Sequence, residues 1–100
     1  MKIFALEREL PGATAEQFQL HAKDEAREAW KLHQAGSIRE LYFRADQHSA
    51  VLVLECASTN EAMDVLSQLP YVREGLIAFD LIPLQAYPGF ARLFERDKNG

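Results

Sequence analysis

Ser37-Ile-Arg-Glu-Leu-Tyr-Phe-Arg-Ala45, then Asp46-Gln47, then His48-Ser-Ala-Val-Leu-Val-Leu-Glu-Cys56 is the stretch that decides the fold. Both flanks are rich in β-branched and aromatic residues, and the polar pair between them reads as a short turn, so the segment is a β-hairpin. Strict alternation puts Ile38, Glu40, Tyr42 and Arg44 on one side of the first strand and Arg39, Leu41 and Phe43 on the other. On the second strand Val51, Val53 and Glu55 oppose Ala50, Leu52, Leu54 and Cys56. The more apolar sets, with Leu41, Phe43, Leu52 and Leu54, belong under helices. The mixed sets face away.

Upstream of the hairpin, Thr14 stands three residues before Gln17, a capping-box spacing that opens a helix. This helix runs to Ala35 and stops at Gly36. Ala15, Phe18, Ala22, Ala26, Ala29 and His33 share its inner face, with Glu25 and Leu32 on the flank and Trp30 on the polar side. Before it, Lys2 to Arg8 alternates as a strand and ends at the turn pair Pro11-Gly12. Downstream, Ser58 and Glu61 form a second capping-box pair, and Ala62, Val65, Leu66 and Leu69 line one face of a helix that ends before Pro70. A last strand spans about Leu76 to Leu84, and Phe90, Leu93 and Phe94 recur at helical spacing after Pro88-Gly89. The order β-α-β-β-α-β predicts an α+β ferredoxin-like unit with a four-stranded antiparallel sheet. Two helices cover one face of such a sheet, which leaves the other for a partner. Residues 1–96 read as a single domain and residues 97–100 as a flexible tail.

Composition agrees. A chain of 100 residues, 48% hydrophobic and 26% charged, holds one modest core and no second domain. A net charge of -4 without a Lys/Arg cluster argues against nucleic acid. The apolar run Ala50 to Leu54 is too short to span a bilayer, and Glu7 interrupts the N-terminus before a signal-peptide core forms. Cys56 has no partner for a disulfide. The expectation is a cytoplasmic protein with no membrane or nucleic-acid partner. No ligand spacing among His21, His33 and His48 suggests a metal.

Gly36, the Arg39-x-Leu41-aromatic strand, the capped Ser58-x-x-Glu61-Ala62 helix, Gln68-Leu69-Pro70 and the Leu84-x-x-x-Pro88 ending together resemble the muconolactone isomerase family of the dimeric α+β barrel superfamily. That resemblance implies a homodimer or larger homo-oligomer whose protomers face each other sheet to sheet. It also implies clefts beside the sheet, closed by a neighbour's C-terminal segment. The implied chemistry is a cofactor-free, metal-free proton shift in a small unsaturated lactone or organic acid during aromatic-compound breakdown. Three positions depart from the family pattern: Glu40 replaces a His, Tyr42 a Trp and Tyr87 a His.

Proton shifting needs a base beside a carbonyl, and a carboxylate whose pKa is raised by an apolar wall suits it. Glu40 and Glu25 are the candidates, Glu25 coinciding with an acidic position of the family helix. Arg39 or Arg44 would hold a substrate acid by paired hydrogen bonds. Tyr42, His48 at the hairpin turn and Tyr87 complete the candidate binding set. Two plainer readings stay open: Glu40 and Arg44 form ion pairs across a dimer, and Glu25 lies at the helix boundary with its carboxylate in water. A non-catalytic small-molecule-binding or accessory protein and a cofactor-free monooxygenase are the alternatives on the same scaffold.

Overall fold

The computed structural model describes residues 1–96, and the tail expected at 97–100 lies outside them. The elements are β1 (Lys2–Glu9), α1 (Ala15–Gln34), β2 (Ile38–Phe43), β3 (Ala50–Glu55), α2 (Thr59–Leu66), α3 (Pro70–Arg73), β4 (Ile77–Pro83) and a 3-10 helix, Gly89–Phe94. The four strands form one antiparallel sheet in the order β2-β3-β1-β4. This is the ferredoxin-like architecture that the element order predicts.

Local signals account for the boundaries. Thr14 Oγ1 accepts the Gln17 N–H at 3.3 Å while Gln17 Oε1 accepts the Thr14 N–H at 3.0 Å, closing the capping box of α1. Gly36 takes the left-handed φ of 85° that releases the chain from α1 into β2. Ser58 caps α2 by accepting the Glu61 N–H at 3.1 Å. Pro70 does more than end α2: it sits at the first turn of the separate helix α3, where its missing N–H costs nothing. The hairpin strands are shorter than their composition suggests. Residues 44–49 form a wider loop, held by the Arg44 N–H on the Ser49 carbonyl at 2.9 Å.

Ile3, Ala5, Leu52, Leu54, Leu32, Ala62, Leu66 and Leu69 pack into one core between the sheet and the helices. Ile38 belongs to that core and is fully buried, which corrects the simple alternation. Ile38 pairs with Leu54 and Glu40 with Val53, so Arg39 is an extra residue in a β-bulge. The bulge resets the side-chain phase, putting Ile38 and Leu41 on the same helix-covered face. Beyond it, Glu40 and Tyr42 point to the opposite face, opposite Val53 and Val51. No helix in the described residues is long and apolar enough to cross a membrane.

Candidate active site between the long helix and the sheet

The inner face of α1 is built from alanines. Ala22, Ala26 and Ala29 are too short to fill the space above Leu41, Leu52 and Phe79 on the sheet. A pocket of about 370 Å³ results, floored by Ile38 and Leu52 and walled by Phe43, Leu69 and Tyr71. An outer chamber of about 510 Å³ shares Glu7, Phe43 and Tyr71 with it and adds Glu9, Phe18 and His48. Both volumes are in the range that holds a small ring compound.

Two carboxylates enter this otherwise apolar space. Glu25 comes from the flank of α1, and its Oε1 accepts the backbone N–H of Tyr71 at 2.9 Å, a bond bridging 46 positions of sequence. Burial pushes the Glu25 carboxyl above its ordinary value; the Tyr71 N–H and Arg73 pull it down, and the charge of Glu7 pushes it up. Glu7 comes from β1, where the alternation Ile3, Ala5, Glu7 directs it to the helix-covered face. Burial again raises its carboxyl, opposed by the Ala50 backbone and His48 and reinforced by Glu9. Tyr71 completes the group. Its hydroxyl donates to the Phe18 carbonyl at 3.1 Å and its ring meets Phe18 edge-on, with centroids 5.0 Å apart. Burial and the two carboxylates raise its phenol as well.

Of the residues singled out in the sequence, Glu25 lines the inner pocket, Tyr42 borders it only at its place on β2 between Leu41 and Phe43, its side chain lying on the uncovered face, and His48 lines the outer chamber, stacked on Phe43 with centroids 4.5 Å apart. Glu40 does not line either space; it is exposed and accepts a hydrogen bond from the Tyr42 hydroxyl at 2.7 Å. Arg39 turns back to donate to the Gly36 carbonyl at 2.7 Å. Arg44 pairs with Asp46 through two bonds of 2.8 and 2.6 Å at the hairpin tip, an arrangement that lowers the Asp46 carboxyl. Tyr87 is 66% exposed and packs edge-on against Phe90. Glu7 and Tyr71 are the additions. Glu7 was legible as an acid following Ile3 and Ala5 on the apolar side of β1, with Glu9 beyond it at the strand's end; Tyr71 enters through its backbone N–H, which carries no sequence signal.

A comparison with curated protein sequences finds no match. Among solved structures, muconolactone isomerase superposes with a TM-score of 0.72 at 22% identity, covering 88% of this chain and 92% of that one. The 5-chloro-2-hydroxyhydroquinone dehydrochlorinase of Burkholderia phenoliruptrix AC1100, in complex with 2,5-dihydroxybenzoquinone, superposes with a TM-score of 0.60 at 16% identity, covering 89% and 98%. These likenesses establish the fold. The muconolactone delta-isomerase family profile matches residues 4–89, which takes in β1 from Phe4 onward, the other three strands, α1 and both pocket carboxylates; the chain belongs to that family.

Proposed function

We propose that the chain is a cytoplasmic isomerase that shifts a proton within a small unsaturated lactone or organic acid, with Glu25 as the proton carrier. The observation that carries this reading is the half-buried Glu25 carboxylate, held by the Tyr71 N–H in an apolar pocket. That bond occupies Oε1, and Oε2 has no hydrogen-bond partner among the described residues. The ionised carboxylate takes a proton from the carbon beside the carbonyl, and the C–H electron pair moves into an enolate. The same carboxyl then returns the proton to the far end of the conjugated system. A pKa raised by burial suits both halves of the step, because the protonated form is less costly to reach near neutral pH.

Family membership supports the reaction type, and the solved neighbours are named for a lactone and a chlorinated hydroxyhydroquinone, both small oxygenated rings. A homodimer or larger assembly fits the surface. The uncovered sheet face exposes Phe4, Tyr42 and Ile82, and the 3-10 helix exposes Phe90, Leu93 and Phe94 by 67%, 75% and 85%. Apolar groups presented this freely are typical of a subunit contact. The test is ultraviolet absorbance on a panel of unsaturated lactones. Wild type should isomerise at least one, and Glu25→Gln should lose about 100-fold or more in kcat while keeping the fold. Full turnover by Glu25→Gln removes Glu25 from the chemistry.

A further inference from the structure

We infer that Glu7 is a positioning residue for the proton carrier: from the sheet wall of the pocket its carboxylate favours the form of Glu25 that holds the proton. The inference rests on the role proposed above for Glu25 and deepens it, because a carrier has to reach both of its forms in one turnover. A carboxylate that stays ionised takes up a proton reluctantly. A like charge sharing its apolar space makes the protonated form easier to reach.

Both carboxylates are fixed by distant parts of the chain. Glu25 Oε1 accepts the Tyr71 N–H at 2.9 Å. At Glu7 the backbone is held on two sides: the Ser49 hydroxyl donates to its carbonyl at 2.9 Å, and the residue pairs with Phe79 of β4. The two acids then enter one pocket, Glu7 from the sheet and Glu25 from α1, in a lining dominated by Ala22, Ala26, Ala29 and Leu52, so little screens one charge from the other. The charged and titratable groups facing the pair come from three elements. Tyr71 and Arg73 of α3 act on Glu25 alongside Glu7; His48 of the hairpin loop and Glu9 of β1 act on Glu7. Burial raises the Glu25 carboxyl most, the Tyr71 N–H opposes this, Glu7 adds to it and Arg73 opposes it. Burial raises Glu7 too, but the Ala50 backbone and His48 favour its ionised form. Glu7 also borders the outer chamber, whereas Glu25 lines the inner pocket alone, so Glu7 keeps its charge while Glu25 takes the proton. The Tyr71 phenol, raised by burial and then by both carboxylates, lies where the two fields overlap.

The test is a carbon-13 NMR titration of the full chain labelled at the glutamate carboxyl carbons, with Glu25 identified by the signal missing from Glu25→Gln. In Glu7→Gln the Glu25 midpoint should fall. Glu7→Asp, which keeps the charge on an arm one carbon shorter, should restore most of the difference. A midpoint that is unchanged or higher in folded Glu7→Gln overturns the inference, as does a fall that Glu7→Asp leaves in place. If neither variant folds, wild type decides: the Glu25 signal should titrate over a wider pH range than one independent carboxyl, and a single-site curve overturns the inference. Charges brought by a neighbouring subunit act on wild type and variants alike, so the difference isolates Glu7. Where a lactone is turned over, the acid limb of kcat against pH should move to lower pH in Glu7→Gln, and an unmoved limb removes Glu7 from its role. The titration itself needs no turnover. Coupling of Glu25 to Glu7 can hold in a chain without isomerase activity, and full turnover by Glu25→Gln removes the carrier while leaving the coupling in place, so the two readings fail separately.

Discussion

Truncation of Ile38 to alanine tests the bulge that builds the pocket floor. Ile38 is 0% exposed, packs with the core cluster and lines the pocket. Ile38→Ala removes three carbon groups, each contributing about 0.8 kcal/mol through burial, or about 2.4 kcal/mol together. The void opens partly into the existing pocket, so the added cavity penalty is small and the expected total is about 3 kcal/mol. For a domain of this size, with a urea m-value of about 1.5 kcal/mol/M, the unfolding midpoint should fall by about 2 M. Circular dichroism during urea titration measures this directly. Arg39→Ala, at the exposed bulge position, serves as the control and should cost less than about 1 kcal/mol. Without the bulge, Ile38 would lie on the uncovered face, and its truncation would act on subunit contacts rather than on the core. A loss below about 1 kcal/mol at unchanged m, or dissociation in sedimentation with the protomer's stability intact, would refute the placement.

Glu7→Gln also has a stability signature. Its carboxyl is raised from an ordinary value of 4.5, chiefly by burial. Stability from the protonated group is therefore fully present below that value and lost as pH rises through the folded value. Glu7→Gln should melt above wild type at pH 7 to 8, with the gap closing below about pH 4.5; a gap that is constant with pH contradicts the burial argument. Thr14→Ala breaks the capping box at the start of the helix that carries Glu25 and should cost about 1 kcal/mol by thermal unfolding. Phe90→Ser with Phe94→Ser should leave the far-ultraviolet circular dichroism unchanged but reduce the sedimentation coefficient toward that of a monomer, since both side chains are exposed.

Much of this was legible in the sequence. Capping pairs at Thr14 and Ser58, the positive-φ stop at Gly36 and the paired apolar runs around the hairpin are local signals, and each produces the expected element. The face assigned to Ile38 was misread because alternation counts residues, whereas a bulge inserts one, and only pairing with Leu54 reveals it. Among the candidate site residues, Glu25 was marked by its place on the flank of an alanine-rich helix. Glu40 and Arg44 share a strand side in sequence, yet each finds a nearer partner: Glu40 accepts from the Tyr42 hydroxyl, and Arg44 holds Asp46 across the hairpin loop.

The linear chain therefore determined the order of elements, their caps and which helix face is built from alanines, because those depend on neighbours within a few residues. Tertiary structure alone decided that the space above those alanines is a pocket, that Glu7 from β1 and Glu25 from α1 share it, and that a backbone N–H of Tyr71 holds the second carboxylate. These groups are 18 and 46 positions apart in the chain, from Glu7 to Glu25 and from Glu25 to Tyr71. Their charges interact, and their desolvation is set, only after the sheet and helix have closed around them.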